Sequence, residues 1–206
     1  MAIISPNNKF CFIHVNNTGG TTITYLLKKH FTDLQYIGDT YCTIKQVLDV
    51  IPEANDYYKF AYVRHPYDWL NSMYSHIYNN GLHPDNKLVK QLDFYEFIIW
   101  LGDVGLKRNS NELPIYKKQS DYLFTRGHLF IDKIYRYEEL CNDIGLSNSN
   151  SVIMTLCNTM PDKIPLLNKS NRVYDWFNLL NFKTLNTIHK LFKEDFYNLK
   201  YKQSAT

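Results

Sequence analysis

The sequence predicts an α/β fold, because two short apolar strands are each followed by a turn and an amphipathic helix. Residues 10–15 are an apolar run rich in aromatic and β-branched side chains, followed by the pair Gly19-Gly20, which is typical of a buried strand. Residues 60–63 repeat this pattern, and Pro66 then suits the first turn of a helix. Strands that alternate with helices indicate an α/β protein.

The first helix is predicted to begin at Thr21, and either Thr21 or Thr22 could cap its first turn. Its apolar residues recur at helical spacing: Ile23, Leu26, Leu27 and Phe31. A strand, a glycine loop and a helix in this order present unpaired backbone N–H groups to an anion such as phosphate. The loop is not a Walker loop, since Thr21 stands where that motif needs lysine. A Gly-Gly turn can also be a simple connection, and both interpretations stay open.

A second candidate anion site follows the strand at residues 60–63. Arg64 stands at its carboxyl end, where open α/β sheets bind ligands, and Ser72 lies eight residues further on in the next helix. The guanidinium fork of arginine suits a phosphate, and a serine hydroxyl adds a hydrogen bond. Arg64 paired with Asp68, and Ser72 as a small helix residue, is the equally open structural alternative.

The remaining elements are predicted from periodicity and end signals. Strands are expected at residues 34–38 and from about residue 133, where a helix follows directly. Helices are expected at residues 43–51, from Asp93 as the N-cap, at 150–158 and within 174–197. The helices would cover the sheet.

Composition limits the class of protein. With 206 residues, 45% of them hydrophobic, the chain fits a single globular domain over residues 1–206. A net charge of +3 is too small to predict a nucleic-acid partner. The four cysteines form no CxxC pair, so neither a zinc site nor a disulfide framework is predicted. No charged-then-apolar leader and no run of about 18 apolar residues occurs, so we predict a cytoplasmic protein without a membrane span.

Four stretches, in order, resemble sulfotransferases that use 3′-phosphoadenosine 5′-phosphosulfate (PAPS), in particular the carbohydrate (Golgi-type) branch. HVNNTGGTTI, from residue 14, is similar to the family's 5′-phosphosulfate loop, HxPKTGGTT. FAYVRHPYDWLNSMY, from residue 60, is similar to its 3′-phosphate motif, FxFVRNPYDRLVSxY. Residues 119–140 and 167–177 resemble two later segments, so the resemblance covers nearly the whole chain.

The resemblance implies a P-loop-like three-layer fold with a central parallel β-sheet flanked by helices. It also implies transfer of a sulfuryl group from PAPS, without a metal, to a hydroxyl or amine of an acceptor, here a carbohydrate. By position Arg64 and Ser72 would bind the 3′-phosphate. The 5′-phosphosulfate would lie on the loop residues Asn16, Asn17, Thr18, Gly19, Gly20, Thr21 and Thr22.

The chain departs from the family where Asn16 and Asn17 replace Pro-Lys. That lysine supplies the cation at the leaving group, whereas Asn17 can only donate a neutral hydrogen bond. Lys169 and Arg172 are candidates for a substitute cation. For the base that takes the acceptor's proton, the candidates are His14, beside the loop, and Asp39.

Three alternatives follow from these departures. A relative that binds the nucleotide without transferring sulfate would keep the 3′-phosphate site and lose activity through Asn17. A nucleotide kinase is disfavoured by the missing Walker lysine. A purely structural α/β protein would bind no nucleotide at all.

Overall fold

The computed structural model describes residues 1–38, 42–107, 116–142, 152–157, 172–173 and 181–203. These residues form a mixed α/β structure that divides into two compact units. The sheet unit comprises Met1–Arg64 and Asp121–Lys169, and the helical unit comprises His65–Ser120 and Ser170–Thr206. The interpretation of residues 1–206 as a single domain stays a prediction.

The secondary structure alternates between strands and helices along most of the chain. The strands are β1 (Ala2–Ser5), β2 (Phe10–Ile13), β3 (Gln35–Ile37), β4 (Tyr58–Val63), β5 (Phe124–Thr125), β6 (His128–Leu129) and β7 (Lys133–Arg136). The helices are α1 (Gly20–His30), α2 (Ile44–Val50), α3 (Pro66–Asn79), α4 (Asn86–Val89), α5 (Phe94–Asp103), α6 (Gln119–Leu123), α7 (Tyr137–Asn142), α8 (Val152–Cys157), α9 (Phe182–Leu191) and α10 (Lys193–Asn198). Short 3₁₀ helices occupy Pro52–Asp56 and Gly105–Lys107.

The main sheet has five strands in the order β3-β1-β2-β4-β7 and is mixed. β4 runs parallel to β2 on one side and to β7 on the other. β1 runs antiparallel to both β2 and β3. The parallel sheet that the family resemblance implies is therefore present only from β2 to β7. β1 was not predicted, because four residues are too few to show a period.

Most predicted elements are present, with small shifts at their ends. α1 begins at Gly20, and its N-cap is Gly19 rather than Thr21 or Thr22, so the predicted cap is wrong. Thr43 caps α2 and Asp93 caps α5, each through a capping box. The helical pattern within residues 174–197 corresponds, in the described residues, to the two helices α9 and α10.

One face of the main sheet carries a row of aromatic side chains. Phe12 stacks on Phe60 with ring centroids 5.2 Å apart, and Tyr62 stacks on Tyr135 at 5.1 Å. The apolar stripe of α1 packs against the same cluster, and its members Ile23, Leu26 and Leu27 are buried. This packing fixes the carboxyl ends of β2 and β4 side by side, which is the edge from which α1 departs.

The helical unit has its own core. Trp69 of α3 is fully buried and meets Phe192 edge-on, with ring centroids 5.9 Å apart. The buried carboxylate of Asp195 accepts hydrogen bonds from the backbone N–H groups of Gln119 and Ser120, at 3.1 and 2.9 Å. These contacts tie α10 to the start of α6.

Within the part of the chain that the structure describes, no helix combines the length and the apolar character needed to cross a bilayer.

Replacing Phe60 with alanine should lower the free energy of unfolding by about 3–5 kcal/mol, because Phe60 is fully buried between Phe12 and Tyr135. Urea unfolding followed by circular dichroism measures this. Tyr25→Ala, on the outer side of α1 where Tyr25 is 47% exposed, is the control and should change stability by less than about 0.5 kcal/mol. Equal effects of the two substitutions would contradict the assigned core.

Candidate functional site

Residues 14–19 connect the carboxyl end of β2 to the start of α1. The hydroxyl of Thr18 donates to the backbone oxygen of Val15 at 2.8 Å, which tightens the loop. Gly19 has a left-handed φ of 86°, and its backbone oxygen accepts from the N–H of Ile23 at 3.2 Å. In the described structure, α1 has neither a side-chain cap nor an acidic residue in its first turn. The positive end of the helix dipole is thus not neutralised by a side chain of that turn and could receive an anion.

The two glycines of this loop are required by the packing around them. A Cβ on Gly19 would lie 2.8 Å from Cδ2 of Leu140 and 3.1 Å from Cδ2 of Tyr137, both on α7. A Cβ on Gly20 would overlap the imidazole ring of His14. The space beside each glycine is therefore filled by the protein itself, and a ligand would meet the backbone N–H groups rather than the Cα atoms.

The structure brings Arg64 and the glycine loop together. Arg64 follows β4 directly, is only 3% exposed, and donates through Nη1 to the backbone oxygen of Asn17 at 3.0 Å. Its Cζ atom lies 4.1 Å from the centroid of the Tyr137 ring, a cation–π contact. Asp68, the alternative partner for Arg64, forms a 2.6 Å ion pair with Arg172. Arg64 therefore organises the loop as well as supplying a positive charge beside it.

His14 is half-buried as a residue, but its Nδ1 atom is fully enclosed and has no hydrogen-bond partner among the described residues. Its ring stacks on Phe12 with centroids 5.9 Å apart. Burial lowers the pKa of His14 to about 4, and the amino group of Met1 contributes in the same direction. The imidazole is therefore neutral near pH 7 and is a weak base there, although it can still form a hydrogen bond.

Asn17 combines an unusual backbone with an unsatisfied side chain. Its φ of 56° lies in the left-handed region, which asparagine adopts more easily than most residues. Its Nδ2 is buried and makes no hydrogen bond to any residue that the structure describes. A buried donor without an acceptor is costly, so Nδ2 of Asn17 is a candidate contact for an acceptor group.

The other candidate residues fall into three groups. Asn16, Thr18 and Thr22 are buried around the loop, whereas Thr21 is exposed. Ser72 is buried on α3 in the helical unit, and the same helix carries Asp68, which pairs with the exposed Arg172. Asp39 and Lys169 lie outside the described residues.

Arg172 and Val173 contact one side of α3. The N–H of Val173 donates to the hydroxyl of Ser75 at 3.2 Å, while Arg172 pairs with Asp68. Asp68, Ser72 and Ser75 share one helix face by their spacing of four and three residues. The segment at residues 172–173 therefore runs along the face that carries Ser72.

Tyr137 is the site residue that sequence reasoning missed. Its ring contacts both the Arg64 guanidinium and the position beside Gly19. No spacing signal could have found it, because β7 brings it to the loop from more than a hundred residues further along the chain.

No family model, no curated protein and no solved structure matches this chain. The described residues also contain no group of three His, Cys, Asp or Glu side chains placed to hold a metal ion. The features of this chain that bear on function are therefore the geometry of the loop, Arg64 and Asn17.

Acid should destabilise the protein through His14. Since its pKa is about 4 when folded and 6.5 in the ordinary state, its contribution is complete above pH 6.5 and is lost as the pH falls from 6.5 towards 4. The loss should reach at most about 3 kcal/mol. Urea unfolding gives the free energy of unfolding of the wild type and of His14→Gln between pH 7.5 and 4.5. The difference between the two proteins isolates the contribution of His14, because the contributions of the other titrating groups cancel. Parallel pH curves for the two proteins would contradict the buried neutral imidazole.

Proposed function

We propose that the chain is a sulfotransferase that moves the sulfuryl group of PAPS to a hydroxyl or amine of an acceptor, and that the acceptor is a carbohydrate. The observation that carries this proposal is the hydrogen bond from the buried Arg64 to the backbone of Asn17. It sets a cation beside the N-terminus of α1. A nucleotide that carries phosphate or sulfate groups at two positions needs two anion-binding groups close together, and the cation and the helix N-terminus are two such groups.

The sheet supports the same proposal at the level of the fold. β2, β4 and β7 are parallel, and the loop and Arg64 follow two neighbouring strands at their carboxyl ends. Ligands of open α/β sheets bind at this edge. We infer a P-loop-like three-layer fold from this arrangement, with β1 as an antiparallel addition to the parallel strands.

The residues present fit a phosphosulfate group. PAPS supplies the sulfuryl group, attached to a phosphate that leaves as negative charge develops on the connecting oxygen. The N–H groups in the first turn of α1 bind that phosphate and stabilise the charge, as fixed donors do in an oxyanion hole. Nδ2 of Asn17, buried and without an acceptor among the described residues, adds a neutral hydrogen bond to the same region. The resemblance assigns the 3′-phosphate to Arg64 and Ser72, whereas Arg172, a candidate substitute cation, is paired with Asp68.

The base that removes the acceptor's proton is assigned to Asp39 rather than His14. The lowered pKa of His14 makes it a poor proton acceptor at neutral pH. Instead, its neutral ring fills the space under Gly20 and positions the loop.

A protein that binds the nucleotide without transferring sulfate is the second candidate function. Asn17 favours it, because a neutral amide stabilises the leaving group less than the lysine of the family's loop. Both functions require nucleotide binding, whereas only the sulfotransferase requires sulfate transfer, so measuring each separately distinguishes them.

Arg64 should determine the preference for a 3′-phosphate. Calorimetric titration should show that the wild type binds 3′-phosphoadenosine 5′-phosphate at least about tenfold more tightly than adenosine 5′-phosphate. Arg64→Gln should abolish most of this preference, and Arg64→Lys should retain part of it. Lys193→Gln removes an exposed charge from α10 and should leave the preference unchanged. If Arg64→Gln weakens both nucleotides equally, Arg64 only shapes the loop, and absence of any binding would refute both candidate functions.

Asn17→Lys should increase sulfate transfer. A cation at the leaving group is worth about a hundredfold in kcat, on the scale of one oxyanion donor. The left-handed backbone at Asn17 should make this variant about 1 kcal/mol less stable. Transfer of labelled sulfate from PAPS to a mixture of glycans measures the rate, with the uncharged Asn17→Gln as the control. An Asn17→Lys protein that binds the nucleotide normally but transfers no faster would show that the missing lysine does not limit the reaction.

A further inference from the structure

A second candidate binding site lies in the sheet unit, in the groove between α2 and the β5–β6 hairpin. This hairpin groove has a volume of about 490 Å³, which is within the range of pockets for small ligands. Its apolar lining consists of Leu48 and Phe130, both half-buried. Its ionisable lining consists of Lys45, Asp49, Arg126 and His128.

Arg126 occupies a backbone position that does not suit arginine. It and Gly127 form the two-residue turn between Thr125 and His128, with φ values of 51° and 79°. Such turns favour Asn-Gly, because both residues must be left-handed. Strain of this kind persists mainly where the side chain has a use.

The charge of Arg126 is available to a ligand. The side chains of Arg126 and His128 are exposed and make no hydrogen bond or ion pair with the residues that the structure describes. Lys45, by contrast, forms a 2.5 Å ion pair with Asp49 on the same helix. Because the charges of Lys45 and Asp49 cancel, the excess positive charge in the lining comes from Arg126.

We propose that the hairpin groove binds an acidic carbohydrate, a glycan chain that carries carboxylate or sulfate groups. The guanidinium fork of Arg126 matches the paired oxygens of either group. The ring of Phe130 and the side chain of Leu48 offer an apolar surface to the C–H face of a sugar. The role of this glycan as the acceptor rests on the proposed function.

The position of the groove separates it from the reacting group. α2 and the hairpin lead into the amino ends of β4 and β7, whereas the glycine loop and Arg64 follow the carboxyl ends of β2 and β4. The groove therefore holds a part of the glycan that is remote from the hydroxyl that accepts the sulfuryl group. Substitutions in it should change KM for the glycan and leave kcat within about twofold.

Direct binding tests the groove without the nucleotide. An acidic hexasaccharide of alternating uronate and hexosamine is titrated into the protein and compared with a neutral hexasaccharide of N-acetylglucosamine. We expect the acidic chain to bind at least about fivefold more tightly, and to lose affinity between 50 and 200 mM salt.

Three variants locate the binding. Arg126→Asn suits the left-handed turn and should fold, and it should weaken the acidic hexasaccharide about fivefold. Arg126→Lys keeps the charge and should retain most of the affinity. Lys193→Gln removes an equal charge elsewhere and should have no effect. Unchanged affinity in Arg126→Asn, equal binding of the neutral chain, or no binding of the acidic chain would each overturn the inference.

Titration of 3′-phosphoadenosine 5′-phosphate into the same samples separates the two proposals. If the nucleotide binds and the hexasaccharide does not, the groove inference fails and the proposed function stands. If the hexasaccharide binds through Arg126 and the nucleotide does not bind, the groove remains a carbohydrate site and the sulfotransferase proposal fails. If Arg126→Asn weakens the nucleotide instead, the groove is not a carbohydrate site and the inference is overturned.

Discussion

The parallel pairing of β2 with β4 is the constraint on which the rest of the candidate site depends. The two strands are in register from Phe10 and Tyr58 onward, and the stacked rings of Phe12 and Phe60 hold them together on one face. Because the strands are parallel, both end at the same edge of the sheet. The loop that follows β2 and the arginine that follows β4 therefore meet, at the 3.0 Å hydrogen bond between Arg64 and Asn17.

The third parallel strand completes this edge. β7 ends beside β4 and delivers Tyr137, which lies under the Arg64 guanidinium and against Gly19. The glycine loop is thus packed from below by Tyr137, Leu140 and His14, and its backbone conformation is fixed before any ligand binds. In that conformation Asn17 is left-handed. This conformation gives a reason for asparagine at the position where the sulfotransferases that the chain resembles have lysine. Asparagine adopts the left-handed backbone region more readily than lysine does.

The local patterns of the chain predicted most elements. The apolar run at β2 and the spacing of Ile23, Leu26 and Leu27 indicated a strand and a helix, because each depends only on neighbouring residues. The same reasoning failed at β1, which is too short to show a period and is recognisable only by its pairing with β2 and β3. It also chose a threonine as the cap of α1. The cap is Gly19, since only glycine fits between the left-handed turn and the side chain of Leu140.

Local sequence patterns indicate that a glycine loop joins a strand to a helix and that Arg64 follows a second strand, because these are properties of adjacent residues. Only tertiary contacts reveal that Arg64 bonds to the loop, that Tyr137 packs against both, and that Asp68 forms an ion pair with Arg172. The tertiary structure also decided that burial makes His14 a weak base. The physical reason is the same in each case: strand pairing and burial join residues that are far apart in the chain, and no local spacing records those contacts.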